Sequence, residues 1–159
     1  MFDTLQIVLY IIIIFSNSVY ALAAPLLPKV FEHKNLPGAW VGLIFSMYSI
    51  SMIIVSPFIG IIVDTIGQAN LLTVGLFAMG TAIVFLGFME EIENDFVVIF
   101  VSLFLRAVQG AASATINTSC FSLAANKYPK QTEFMVGMLE SVSGIGLIAG
   151  FLGGSYIYE

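Results

Sequence analysis

Long apolar runs that lack charged residues dominate the chain. Three runs contain no Asp, Glu, Lys or Arg: residues 4–28, 35–63 and 65–89. Two further runs, residues 96–126 and 134–158, contain one charge each, Arg106 and Glu140. A bilayer core about 30 Å thick needs about 20 helical residues, and none of the runs shows the polar alternation of a membrane β-strand. The pattern therefore predicts five transmembrane helices. They cover about residues 4–28, 39–63, 69–89, 96–124 and 134–158.

The predicted connections are short and rich in turn residues. Pro25, Pro28, Pro37 and Gly38 bracket a first polar loop at residues 29–34. Residues 21–23, Ala-Leu-Ala, also have the form of a signal-peptidase site, but no basic residue precedes the first run, which favours a membrane helix over a cleaved signal peptide. The basic residues outside the spans divide two against two, so charge does not orient the chain.

Composition excludes several classes of protein. The chain is 59% hydrophobic and 9% charged with a mean hydropathy of +1.02, whereas soluble domains carry about 25% charged residues. A net charge of -5 excludes a nucleic-acid binder, and one cysteine excludes a disulfide framework or a Cys-rich metal site. No catalytic constellation and no phosphate-binding glycine loop occurs, so we expect no enzyme activity, cofactor or metal. The prediction is an all-α, multi-pass integral membrane protein in the lipid bilayer.

Two motifs lie at characteristic places in the predicted helices. Gly60, Asp64 and Gly67 form a Gly-x-x-x-Asp-x-x-Gly turn between the second and third spans. This turn resembles the loop signature of the major facilitator superfamily, although Thr65 and Gln68 stand where the family usually has basic residues. Residues 106–112, Arg-Ala-Val-Gln-Gly-Ala-Ala, resemble the family's Arg-x-x-Gln-Gly-x-x-Ala element in the fourth helix. The resemblance covers the whole chain.

Two further segments, Leu27-Pro28-Lys29 and Leu139-Glu140, are similar to the vesicular amine and polyamine transporter branch of that family. Gly153-Gly154 resembles the end of the glycine-rich element of the family's antiporters. The resemblance implies a secondary active transporter that moves a small organic solute, such as an amine or polyamine, by alternating access coupled to a proton gradient. The family includes antiporters, and the sequence leaves both symport and antiport open. It also implies a cytoplasmic Met1.

The family's architecture has two six-helix halves, whereas the sequence contains five spans. We therefore expect an incomplete, truncated N-terminal half that needs a missing C-terminal half for transport. A different class of function remains open, in which the chain is a non-transporting membrane assembly protein. Its five helices would then assemble with partner subunits, and Arg106 and Glu140 would form structural ion pairs.

Several polar residues inside the spans are candidates for the solute or ion path. Arg106 lies about ten residues inside its span, where insertion costs roughly 2.5–3.5 kcal/mol, so it should face protein or a cavity and have a partner. We expect Glu140 to be that partner, within reach across the fourth and fifth helices, and to carry protons. The other candidates are Gln109, Asn117, Asn17, Tyr10 and Tyr20. Isolated Tyr and Asn residues can equally hydrogen-bond neighbouring helices.

A glycine ladder in the fifth span predicts close helix packing. Gly146, Gly150 and Gly154 recur every four residues and therefore lie on one helix face. Such small residues let helix backbones approach each other in a membrane.

Overall fold

The structure is a computed structural model that describes residues 3–157, apart from the side chain of Glu90. Five helices long and apolar enough to cross a membrane form the described chain. They are α1 (Thr4–His33), α2 (Ala39–Ile66), α3 (Gln68–Gly87), α4 (Asp95–Lys127) and α5 (Thr132–Ile157). A short 3₁₀ helix, Phe88–Glu91, follows α3. The all-α multi-pass architecture is as the hydrophobic pattern predicts.

Helix α1 runs further than the prolines suggest. The sequence places a loop at residues 29–34, but the helix continues through Pro25 and Pro28 to His33. A proline removes one backbone hydrogen bond, and neighbouring helices commonly compensate for that loss in membrane proteins. Here Val30 and Phe31 are buried in the core, which favours continuing the helix to its end.

The five helices do not pack in chain order. Helix α5 packs mainly along α1, whereas α4 packs along α2 and α3. The backbones of α1 and α5 meet at the glycine ladder: a Cβ at Gly146 would lie 2.6 Å from the Ile14 carbonyl oxygen, and one at Gly150 would collide with the Ser18 backbone. Ser18 Oγ also donates a 2.9 Å hydrogen bond to the Gly146 carbonyl oxygen. The small residues therefore bring α5 against α1.

Helix α4 makes a similar close approach to α2. A Cβ at Gly110 would collide with the Tyr48 carbonyl oxygen. The Ser51 hydroxyl donates a 2.7 Å hydrogen bond to the carbonyl oxygen of Ala107 on α4. These contacts fix the position of Tyr48 relative to the middle of α4.

Candidate functional site

A cavity of about 260 Å³ lies between the middle portions of α1, α2, α4 and α5. Its polar lining consists of Asn17, Tyr20, Tyr48, Ser113, Asn117, Glu140 and Ser143. Its apolar lining consists of Ile13, Met52, Phe121, Leu139 and Leu147. Mixed apolar and polar lining of this kind is typical of a site for a small organic molecule.

Glu140 is the one charged residue in this lining. Its side chain is exposed, and it forms no ion pair with any residue between positions 3 and 157. The two lining amides have local partners, since Asn17 Nδ2 donates to the Ile13 carbonyl oxygen at 2.9 Å and Asn117 Nδ2 donates to Ser113 Oγ at 3.4 Å. The cavity therefore presents a carboxyl group that has no ion-pair partner in the described chain, beside side chains that form hydrogen bonds.

Arg106 is fully buried, at 0% exposure, and does not line the cavity. Its Nη1 donates a 3.1 Å hydrogen bond to Gln109 Oε1, while its Nε and Nη2 have no hydrogen-bond partner within the described chain. Three aromatic rings surround the guanidinium instead. Its central carbon lies 4.5 Å from the ring centre of Phe45, 5.6 Å from that of Tyr20 and 5.8 Å from that of Tyr48. These distances are those of cation–π contacts.

Two of these rings also border the cavity. The ring centres of Tyr20 and Tyr48 are 4.3 Å apart, and the ring planes are tilted by 31°. Both residues line the cavity and both contact the guanidinium of Arg106. The ring pair thus connects the buried cation to the cavity wall.

The expected pairing of Arg106 with Glu140 is absent among the described residues. Arg106 has Gln109 as its hydrogen-bond partner, and Glu140 forms no ion pair within residues 3–157. The expectation assumed that consecutive helices are neighbours along their length, whereas α5 packs on α1 and α4 packs on α2 and α3. The aromatic rings of α1 and α2 occupy the space around the guanidinium.

The structure groups the other sequence candidates into two sets. Asn17, Tyr20 and Asn117 line the cavity together with Glu140. Tyr10 lies outside this lining, with its hydroxyl 3.9 Å from the sulfur of Met135 near the start of α5.

Sequence reasoning missed Tyr48, Phe45 and Ser143. Ser143 follows Glu140 by three residues, and this spacing predicts that the two side chains lie on the same face of the helix. The roles of Tyr48 and Phe45 depend on which helix packs against Arg106, and no local pattern shows that.

The turn between α2 and α3 is held by a hydrogen-bond network of Asp64, Gln68 and Ser122. Asp64 Oδ1 accepts hydrogen bonds from Gln68 Nε2 at 3.2 Å and from Ser122 Oγ at 3.5 Å. Gln68 Nε2 also lies 3.2 Å from Ser122 Oγ, so the network ties the turn to α4. Gly67 adopts a φ of 95°, which favours glycine, whereas a Cβ at Gly60 would meet nothing within 4 Å.

Comparisons with known proteins agree with this architecture. The family model described as Major Facilitator Superfamily matches residues 8–159. The chain is 26% identical over 140 residues to the MFS-type transporter SLC18B1 of Homo sapiens, covering 88% of this chain and 31% of that protein. It is also 26% identical over 130 residues to the quinolone resistance protein NorA of Staphylococcus aureus strain MRSA252, covering 81% of this chain and 32% of that protein.

The chain thus spans about 31% of the length of the human relative that it matches. The family match, by contrast, extends over nearly all of the chain and includes all of α2, α3, α4 and α5. With its transporter relatives and its five apolar helices, the chain belongs to the Major Facilitator Superfamily.

Proposed function

We propose that this chain is part of a secondary active transporter that moves a small organic solute, with amines and polyamines as the expected classes, in exchange for protons. The observation that carries the proposal is the cavity of about 260 Å³ with Glu140 as its one charged lining residue. Family membership supports transport, because this family moves solutes by alternating access around a site near the membrane midplane.

The lining suits an organic cation. Apolar side chains and the Tyr20–Tyr48 ring pair can contact the carbon skeleton of a solute, and Asn17 and Asn117 offer amide groups for hydrogen bonds. The carboxylate of Glu140 has no ion-pair partner in the described chain, so it is available to an ammonium group. Charge within a membrane is costly unless it is compensated, which favours binding of a counter-charge there.

The same carboxylate supplies a means of coupling. The carboxylate can bind either a proton or the ammonium group of a solute. Either of these cations neutralises the negative charge of the carboxylate, so binding of one excludes the other. Exchange of one for the other across two alternating states produces antiport driven by a proton gradient. Arg106 has no direct part in this step, because it does not line the cavity.

The proposed transporter includes a second, C-terminal half, and the term full-length transporter below means this chain together with that half. Alternating access requires two halves that move relative to each other around the site. In the competing proposal of a membrane assembly protein, the helices assemble with partner subunits and the charges of Arg106 and Glu140 are structural. Within the described residues these two side chains do not pair with each other, which removes one support of that proposal.

Uptake into proteoliposomes tests the proposal. Purified full-length transporter is reconstituted, a proton gradient is imposed, and accumulation of ethidium and of radiolabelled spermidine is followed with and without a protonophore. We expect at least one probe to accumulate, and we expect the protonophore to abolish that accumulation. If neither these cations nor a panel of sugars and drugs moves, the assembly protein becomes the better account.

A further inference from the structure

We infer that Arg106 is a positioning residue of the solute site: it holds the Tyr20–Tyr48 ring pair as an aromatic wall for the solute's carbon skeleton, and its charge directs the solute's ammonium group to Glu140. The inference rests on the proposed function. It concerns how the solute is oriented, and it assigns a role to a charge that does not line the cavity.

The contacts of Arg106 support a role that acts through the rings. The guanidinium contacts one ring from α1 and two from α2, with Phe45 as the nearest at 4.5 Å. Its hydrogen bond to Gln109, also on α4, restricts the orientation of the guanidinium. A planar guanidinium can lie against aromatic faces, which the rounded ammonium of lysine does not reproduce. Arg106 therefore joins the two tyrosine-bearing helices to α4.

The backbone around Tyr48 leaves little freedom to the ring pair. The carbonyl oxygen of Tyr48 lies against Gly110, and Ser51 is hydrogen-bonded to the Ala107 carbonyl oxygen. The ring of Tyr48 then meets that of Tyr20 at 4.3 Å. A ring pair held in this way offers aromatic contact area to an aromatic part of a solute.

Charge determines which end of the solute faces this wall. The guanidinium lies within 5.8 Å of both tyrosine ring centres, so a second cation on the same rings would be repelled by a like charge. Glu140 is the one charged residue in the lining and attracts that cation. The ammonium group is therefore placed at α5, and the uncharged part of the solute lies against the rings.

Two permanently charged probes of similar size test this orientation: phenyltrimethylammonium and cyclohexyltrimethylammonium. Their dissociation constants are measured by calorimetry on purified full-length transporter. We expect the phenyl compound to bind about 2- to 10-fold more tightly, which is the usual gain from an aromatic pair. Glu140→Gln should weaken both probes by a similar factor and leave their ratio unchanged.

Substitutions at the rings and at Arg106 then separate positioning from general stability. Tyr48→Phe keeps the ring and should keep the preference, whereas Tyr48→Leu should remove it. Arg106→Lys should bring the ratio close to one while the cyclohexyl compound binds within about twofold of the wild type. If Arg106→Lys does not fold, Phe45→Leu, outside the lining but in contact with Arg106, should reduce the ratio in the same direction.

The outcomes distinguish this inference from the proposed function. A wild-type protein that binds both probes equally, or a preference that survives both Arg106→Lys and Phe45→Leu, overturns the positioning role alone. A wild-type protein that binds neither probe overturns the proposed cation site and the positioning role with it.

Discussion

The Nη1 atom of Arg106 donates a 3.1 Å hydrogen bond to the Oε1 atom of Gln109, one turn further along α4. Both side chains are fully buried, and the other guanidinium nitrogens, Nε and Nη2, have no hydrogen-bond partner in the described chain. A buried charge with one hydrogen bond depends strongly on that bond. The stability of the protein should therefore be sensitive to Gln109.

Replacement of Gln109 by leucine should lower the free energy of unfolding by about 1.5–3 kcal/mol, because it removes a hydrogen bond to a buried charge. Chemical denaturation in detergent micelles measures the change. Gln131→Leu is the matched control, since Gln131 is exposed and precedes α5. Equal effects of the two substitutions would contradict the importance of the Arg106–Gln109 bond.

Replacement of Gly150 by alanine should lower the free energy of unfolding by about 1–3 kcal/mol, because the added methyl group forces α5 away from α1. The Cβ would collide with the backbone of Ser18. Gly144→Ala is the control, since a Cβ there meets nothing within 4 Å. It should leave stability unchanged or raise it slightly, because alanine favours helices. A destabilisation by Gly144→Ala equal to that by Gly150→Ala would rule out the packing role.

Replacement of Gly67 by alanine should lower the free energy of unfolding by about 1–3 kcal/mol, because residue 67 has a φ of 95° that residues with a Cβ rarely adopt. Gly60→Ala, in the same motif, should have little effect on stability because space is available there. Chemical denaturation of both variants measures the two changes in the free energy of unfolding. A tolerated Gly67→Ala would contradict the turn geometry.

The Tyr128 hydroxyl, between α4 and α5, donates a 2.9 Å hydrogen bond to Asp3 Oδ2 at the start of α1. Burial, and then this bond, raise the pKa of Tyr128 above its usual value of 10.0. The contribution of the Tyr128–Asp3 hydrogen bond to folding stability is therefore complete below pH 10 and is lost as the pH rises through the raised pKa.

Hydrogen exchange of the first turn of α1 checks this pH dependence. Tyr128→Phe should speed exchange there at pH 7 and remove the extra acceleration at high pH. Tyr156→Phe, at an exposed position near the end of α5, is the control and should leave exchange in α1 unchanged. Identical exchange in the wild type and Tyr128→Phe would contradict the contact.

Much of the helical architecture follows from the sequence, because the bilayer imposes a length and an apolar composition on each span. The cost of an intramembrane charge likewise predicts that Arg106 faces protein, and the structure buries it. These inferences need only local composition and periodicity.

The partners of these residues could not be predicted in the same way. Glu140 and Arg106 lie on consecutive helices, yet α5 packs on α1, and the guanidinium contacts rings of α1 and α2. Helix packing order is a tertiary property that depends on surfaces such as Gly110 against Tyr48. Continuation of α1 past Pro28 is also determined by the packing of residues such as Phe31.

The most direct test of the central claim is the pH dependence of solute flux in Glu140→Gln full-length transporter. Glu133→Gln serves as the control, because Glu133 is an exposed residue of the same helix that does not line the cavity. We predict that Glu140→Gln folds, loses proton-driven uptake and shows no pH dependence of the remaining solute exchange, whereas Glu133→Gln behaves as the wild type. Wild-type pH dependence in a folded Glu140→Gln protein would contradict the claim that Glu140 couples protons to solute.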